Sequence, residues 1–409
     1  MNQNNNKSKN NKSNGRSFTK NKSNSPRSNR NPRSRGNKKA ATSDIKPEQL
    51  IKKATSVEQV KYVSEIHYAD LDLHPKLAKN IERKNYQQPT EIQEKSIDHL
   101  MESKNLIGIA ATGTGKTGAF LIPMVHQMLN DNSITALIMV PTRELAQQVD
   151  AEFKSLTLGT SLNSVCFIGG TNINKDIANT KRKMSLIVGT PGRLNDLIQR
   201  KNLKLGRVSK LVIDEFDRML DMGFIHDVRK IIAAMKSREQ TMLFSATTDK
   251  SQEALIKEII KNPVRVNATN HNISGNNVDQ DIIKVGSDES KFDLLLKLVK
   301  DDSYEKIILF AETKHQVNKI SKKLNKSGVK SDVIHGNKSQ NYRTNVIEAF
   351  KQGKLKVMVA TDVAARGIDI KDVSLVINFQ IPPTMDSYTH RIGRTGRAGS
   401  TGKAITFIN

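Results

Sequence analysis

The sequence predicts an α/β protein: two doubly wound parallel-sheet domains in tandem, behind a basic N-terminal tail. Three observations carry this. Short β-branched runs alternate with helix-length amphipathic stretches, the runs are nearly continuous in apolar residues, as strands buried on both faces must be, and one polar stretch divides the alternation into two series. At 409 residues the chain is also too long for one ordinary core.

Residues 1–45 form the predicted tail. Its first 40 residues hold seven Lys, five Arg and no acid, which is +12 of the net +25. With Phe18 as its one aromatic residue, this Asn/Ser/Lys/Arg-rich segment cannot bury enough apolar surface to offset chain entropy, so disorder is expected. Two readings fit it, a solubilising appendage and a dedicated RNA-binding arm, and both imply salt-sensitive affinity. The overall positive excess points to a polyanion, either nucleic acid or an anionic membrane surface.

The first domain, expected over 46–266, contains the runs at 105–110, 136–140, 165–168, 185–189, 210–214 and 241–246. NATNHNISGNNVDQ (267–280) reads as an interdomain linker. The second domain, expected over 281–409, repeats the pattern at 306–310, 331–336, 356–360, 374–378 and 403–408. In such sheets ligands bind at the carboxyl ends of the strands. The unusual residues stand there: ATGTGKT, PTRE, TPGR, DEFD and SAT follow the first, second, fourth, fifth and sixth runs.

Cys166 is the only cysteine, which excludes an intrachain disulfide and a Cys-cluster zinc site and fits a reducing compartment. No run of about twenty apolar residues occurs, and no secretory or transit signal opens the chain, so a soluble cytoplasmic protein without membrane contact is expected.

AATGTGKT (110–117) follows a strand and opens a helix. There Gly113 and Gly115 turn backbone N–H groups toward phosphate, Lys116 reaches the terminal phosphates, and Thr117 offers its hydroxyl to Mg²⁺. The general pattern begins with Gly where this chain has Ala110. In LVIDEFDRML (211–220) adjacent carboxylates close an apolar run. By itself this fits a solvated acidic turn as well as a functional site, since buried like charges repel. Beside a phosphate loop it becomes a metal-and-base pair. If Asp214 ends the strand next to the loop's own strand it can hold Mg²⁺, largely through water, while Glu215 activates the attacking water. The positive partners are then the metal and Lys116, and ATP hydrolysis is the expected reaction.

With these residues in order, the chain resembles the DEAD-box RNA helicases of superfamily 2 over roughly residues 66–409. YADLDLHPKLAKNIERKNYQQPTEIQ (68–93) is similar to the family's Q motif, taken as 66–94. PTRELAQQ, Gly169-Gly170, TPGR, DEFD, SAT, FAET (310–313), QNYR (340–343), ATDVAARGIDI (360–370) and HRIGRTGR (390–397) follow in family order. RMLDMGFIHDVRKI (218–231) suggests a bacterial type.

The resemblance implies two RecA-like domains, ATP and Mg²⁺ as cofactors, and RNA as partner. It implies that Gln93 reads the adenine edge and that Tyr68 stacks on the base. Ala111, Thr112, Thr114, Gly367 and Asp369 complete the nucleotide contacts, Asp369 through the ribose. Arg394 and Arg397 are arginine fingers supplied across the cleft, which makes hydrolysis depend on domain closure. Asp217, Ser245, Thr247 and His390 couple the ATP site to the RNA site. RNA contacts fall to Pro141, Thr142, Arg143, Gly170, Thr190 and Arg193 in the first domain and to Thr313, Arg343, Thr361 and Asp362 in the second. They are dominated by phosphate and 2′-OH groups, which carry no sequence address. Any one Thr or Pro among them equally suits a helix cap or a turn. His335 and His390 lack a ligand cluster and suit satisfied polar roles.

Two departures stand out. Phe216 replaces the alanine of the name-giving box and is expected to repack, Ser245-Ala246-Thr247 included, with ATPase retained. The sequence stops at Phe407-Ile408-Asn409, inside the last expected strand, so an under-covered sheet face is expected. The activity expected is ATP-dependent RNA unwinding or remodelling, with ribosome-assembly or RNA-decay proteins as conceivable partners. The rivals are a non-unwinding RNA clamp or annealing chaperone, and a DNA-directed motor of the same superfamily.

Overall fold

The computed structural model describes residues 43, 45–54, 62–111, 113–247, 250–268, 277–286, 290–365, 370, 373–396 and 401–408. The tail up to Thr42, the centre of the expected linker, and Thr112, Gly367, Asp369 and Arg397 lie outside them.

The strands are β1 (Leu106–Ile109), β2 (Ala136–Met139), β3 (Ser164–Phe167), β4 (Leu186–Gly189), β5 (Lys210–Ile213), β6 (Gln240–Ser245), β7 (Val264–Asn267), β8 (Val278–Lys284), β9 (Ile307–Phe310), β10 (Ser331–Ile334), β11 (Val357–Ala360), β12 (Leu375–Asn378) and β13 (Gly402–Ile408). They build two wholly parallel sheets, in the orders β3-β4-β2-β5-β6-β1-β7 and β10-β11-β9-β12-β13-β8. Each sheet is covered by apolar clusters on both faces. That is why β1, β2, β4 and β9 are apolar along their whole length. Because every strand runs the same way, all strand-end loops of a sheet fall on one edge.

Four expectations change. Periodicity misses β7 and β8, since both are edge strands with partly exposed side chains and carry no continuous apolar run. The expected linker 267–280 is accordingly strand at both ends, with Asn267 in β7 and Val278 opening β8. Residues 45–52, expected to end the tail at Ile45 and to open the first domain from Lys46, belong instead to the second. Ile45 and Leu50 lie in its apolar cluster, and Lys52 pairs with Gln280 of β8. Lastly, β13 sits between β12 and β8 with Phe407 fully buried and Ile408 buried, so the under-covered face expected there is absent.

Gly108, midway along β1, shows how tightly the phosphate-loop strand is packed. Its register partner on β6 is Phe244, and a Cβ at position 108 would lie 2.5 Å from that ring. Gly108→Val should therefore cost about 1–3 kcal/mol in urea unfolding, whereas Gly206→Ala, whose Cβ meets nothing within 4 Å, should change stability by under about 0.5 kcal/mol.

Candidate functional site

The phosphate loop leaves β1 at Ala110 and enters the helix Lys116–Asn130 through two glycines in left-handed conformations, Gly113 at φ +88° and Gly115 at φ +98°. Only glycine adopts such angles without strain. Thr114 Oγ1 bonds Ala111 O at 2.8 Å and braces the turn. Lys116 is buried and donates to Ala110 O at 2.9 Å, so its ammonium is folded back over the loop that the phosphates would occupy.

The Q-motif glutamine grips this loop directly. Gln93 Nε2 donates to Gly115 O at 3.0 Å, and its Oε1 accepts from Thr90 N at 2.8 Å and from the Tyr68 hydroxyl at 2.9 Å. A Cβ at Gly118 would sit 2.4 Å from Gln93 Nε2, so two loop-side glycines make room for this amide. Tyr68 is only 3 % exposed. Its ring is covered, burial raises its hydroxyl pKa, and the hydroxyl bonds Gln93, a contact the sequence reading did not include.

Asp214 follows β5, Glu215 follows Asp214, and both are buried. The strand next to β1 is β6, not β5 as expected. Asp214 nevertheless feels Lys116. Burial pushes its carboxyl from the ordinary 3.8 up to about 6, the Lys116 ammonium opposes the rise, and Glu215 adds to it. Glu215 sits at φ +54°, a left-handed conformation that costs free energy for any side chain with a Cβ, and this turn aims the residue out of β5 at the head of the helix Phe216–Asp221. It is ion-paired with Arg218 one turn on, at 2.8 Å and equally buried, a partner not in the expected set.

Asp217 joins DEFD to SAT. One carboxylate oxygen accepts from Ala246 N at 3.2 Å and from Thr247 Oγ1 at 3.5 Å, the other from Arg218 N at 3.0 Å, and Asp217 N approaches Ser245 Oγ at 3.4 Å. Ser245 Oγ in turn donates to Thr247 O at 2.7 Å, and Ser245 O accepts from Ala110 N at 3.0 Å. Asp217, Ser245 and Thr247, three of the four expected coupling residues, thus lie on one hydrogen-bonded path from the acidic turn to the phosphate loop, while His390 stands in the second domain. Phe216 is fully buried in an apolar cluster with Ile213, Met219 and Leu243.

Residues expected to contact RNA gather around a second feature, a cavity of about 400 Å³ walled by Pro141, Thr142, Arg143, Gly169, Thr190, Arg193 and Arg343 among others. Arg143 lies against Gly170, where a Cβ would come 2.8 Å from its guanidinium carbon. Burial, Arg343 and Arg193 lower the Arg143 pKa while Glu144 raises it, which is the electrostatics of a crowded cationic wall. Glu144 and Gln340, absent from the expected set, tie the two sheets together: Glu144 Oε1 accepts from Gln340 Nε2 at 2.9 Å and from Arg343 Nη2 at 3.0 Å. Glu144 Oε2, Gln340 Oε1 and Arg343 Nε stay buried without a partner among the described residues.

Several expected RNA contacts have other occupations. Arg193 is paired with Asp176 and bonds Thr171 O at 3.0 Å. Thr142 and Thr313 cap their helices, accepting from Leu145 N and Gln316 N at 3.3 and 3.2 Å. Thr361 caps a turn through its carbonyl. Asp362 is held by Arg391 in a two-bond pair of 2.5 and 2.7 Å, a carboxylate already neutralised and ill suited to face phosphate. With His390 and Arg394 this pair lines a small cavity within the second domain. Arg391, like Arg218, Glu144 and Gln340, stands inside a quoted motif; its membership there was the available signal.

Two family profiles match the chain, the DEAD/DEAH box helicase over residues 90–255 and the helicase conserved C-terminal domain over 290–399. The ATP-dependent RNA helicase CshA of Listeria monocytogenes is 42% identical over 342 residues, 83% of this chain and 66% of that protein. Among solved structures, Saccharomyces cerevisiae Dbp5 bound to RNA and ADP BeF3 is 31% identical with a TM-score of 0.74, covering 84% of this chain and 89% of that one. Mss116p bound to ssRNA and AMP-PNP is 29% identical with a TM-score of 0.74, covering 84% and 75%. Both likenesses extend across the two parallel sheets, which are RecA-like. No helix among the described residues is long and apolar enough to cross a membrane.

The Asp214 shift makes a test. A carboxyl whose folded pKa lies above its unfolded value destabilises the fold once it ionises. The cost is absent below the ordinary 3.8, grows toward about 6 and is complete above it. Asp214→Asn should therefore stabilise the ligand-free protein at pH 7.5 by about 1–3 kcal/mol and leave it unchanged near pH 3.5, as read by chemical denaturation at the two pH values.

Proposed function

Because the chain belongs to the DEAD-box helicase family, we propose that it is an ATP-dependent RNA helicase which opens or remodels RNA duplexes and RNA–protein complexes. The single observation that carries this is the continuous path from the phosphate loop through Ser245 and Asp217 to Glu215, in a chain whose cationic cavity is closed by a bond between its two sheets.

In this reading ATP binds over the loop, and Lys116 leaves Ala110 O for the phosphates. Gln93 trades a loop or backbone bond for the adenine edge, which makes loop geometry sensitive to the base. Mg²⁺ suits the donors present: Thr117 and Asp214 are hard oxygen ligands, and a cation beside Asp214 would restore the ionised form that burial disfavours. When bound with ATP, Mg²⁺ supplies charge neutralisation at the phosphates. Glu215, released by Arg218, orients and deprotonates water. Arg394 and Arg397 supply positive charge from the second domain, with Asp369 and Gly367 on the ribose side. RNA phosphates enter the wall made by Arg143 and Arg343 and occupy the hydrogen-bonding capacity left open on Arg343. Closing Glu144 onto Gln340 and Arg343 then favours hydrolysis, the origin of RNA stimulation. Cytoplasmic RNA, bound without regard to sequence, is the substrate class.

Strand separation and ATP hydrolysis measured on the same preparation, with and without residues 1–40, test the proposal. Unwinding that requires hydrolysis is expected; RNA-stimulated hydrolysis without strand separation would identify a clamp or annealing chaperone instead. Glu215→Gln should lower turnover by about 100-fold or more while nucleotide still binds. Phe216→Ala should cost about 2–4 kcal/mol of stability, because it empties a fully buried site, yet keep turnover per folded molecule within about tenfold.

A further inference from the structure

The segment Ser43–Lys52 lies outside both family profiles, begins before the Q motif, and yet is built into the second domain. Its described residues pack on β8 and reach the approach to one helix, Met385–Ile392, which carries His390 and Arg391 and precedes Arg394. Ahead of that helix, Ser43 Oγ donates to Pro382 O at 2.7 Å. Along it, Leu50 (0 % exposed) and Ile45 (6 %) share an apolar cluster with Tyr388 and Ile392. At its middle, the Tyr388 hydroxyl donates to Gln280 Oε1 at 3.1 Å. Gln280 is the residue that Lys52 clamps by backbone bonds in both directions, of 2.7 and 3.0 Å. A segment that merely covered apolar surface would have no reason to be bonded before the helix and at its centre.

We propose that the segment from Ser43 to Lys52 is a positioning element for the helix Met385–Ile392, holding Arg394, just beyond its end, where it serves the nucleotide. The inference rests on the reading of Arg394 as a group that acts on ATP. Its physical basis is the pair of constraints. Arg391 ties the C-terminal turn of the helix to Asp362 and to Asn378 Oδ1 at 3.1 Å. Tyr388–Gln280–Lys52 and Ser43–Pro382 add a second attachment at its middle and a third ahead of it.

Full-length Leu50→Asp, Leu50→Ala and Tyr388→Phe test this by two independent readouts. Hydrogen exchange of the amides at 382–394 should speed up by about tenfold or more in Leu50→Asp, with exchange in β5 and β6 of the first domain unchanged. RNA-stimulated kcat should fall by about fivefold or more in each variant while KM for ATP stays within about twofold, because nucleotide docking belongs to the other domain. A segment that only stabilises would lower the melting temperature and leave kcat per folded molecule and helix exchange as they were; that result overturns the proposal. Should Leu50→Asp not fold, Tyr388→Phe, which removes one hydroxyl, gives the same decision. If the wild-type chain shows no RNA-stimulated hydrolysis, the helicase reading fails, while unchanged exchange over 382–394 sinks the positioning role whatever the activity.

Discussion

Three buried carboxylates within four residues, Asp214, Glu215 and Asp217, set the conditions under which the rest of the first domain is arranged. Each is compensated differently. Arg218 pairs with Glu215, backbone and hydroxyl donors of the SAT turn satisfy Asp217, and Asp214 is left with Lys116 at a distance and a raised pKa. The first two are self-contained; the third is not. A cation beside Asp214 would favour the ionised form that burial disfavours.

The same logic of incomplete satisfaction appears in the cationic cavity. Glu144 neutralises part of Arg343 across the two sheets, but polar atoms of Glu144, Gln340 and Arg343 remain buried without partners among the described residues. Arg143 is pressed among like charges. A phosphate oxygen could accept from Arg343 Nε and offset the like charge around Arg143, whereas Glu144 Oε2 and Gln340 Oε1 are acceptors and would need a donor. Within the first domain the Asp217–Ser245–Ala110 path joins the acidic turn to the phosphate loop.

The second domain is held in a comparable way. Arg391 is held by Asp362 and Asn378, and Ser43 bonds Pro382 just ahead of the helix that carries it. The second sheet is thus not a continuous stretch of sequence. Part of its core comes from residues 45–50, placed there before the first domain has begun.

What the amino-acid order determined by itself was everything that depends on neighbours along the chain. Apolar runs buried on both faces required parallel strands, GTGKT required the left-handed turn seen at Gly113 and Gly115, and the motif at each strand end named Lys116, Asp214, Glu215, Arg143 and Arg343. Only the tertiary structure decided which strand lies between β5 and β1, that Arg218 pairs with Glu215, that Tyr68 is covered and bonds Gln93, that Arg193 and Asp362 are already paired, and that Leu50 belongs to the other domain. The reason is common to all of these. A side chain's partner is chosen by proximity after folding among groups tens to hundreds of positions away, and periodicity, composition and spacing carry no record of that choice.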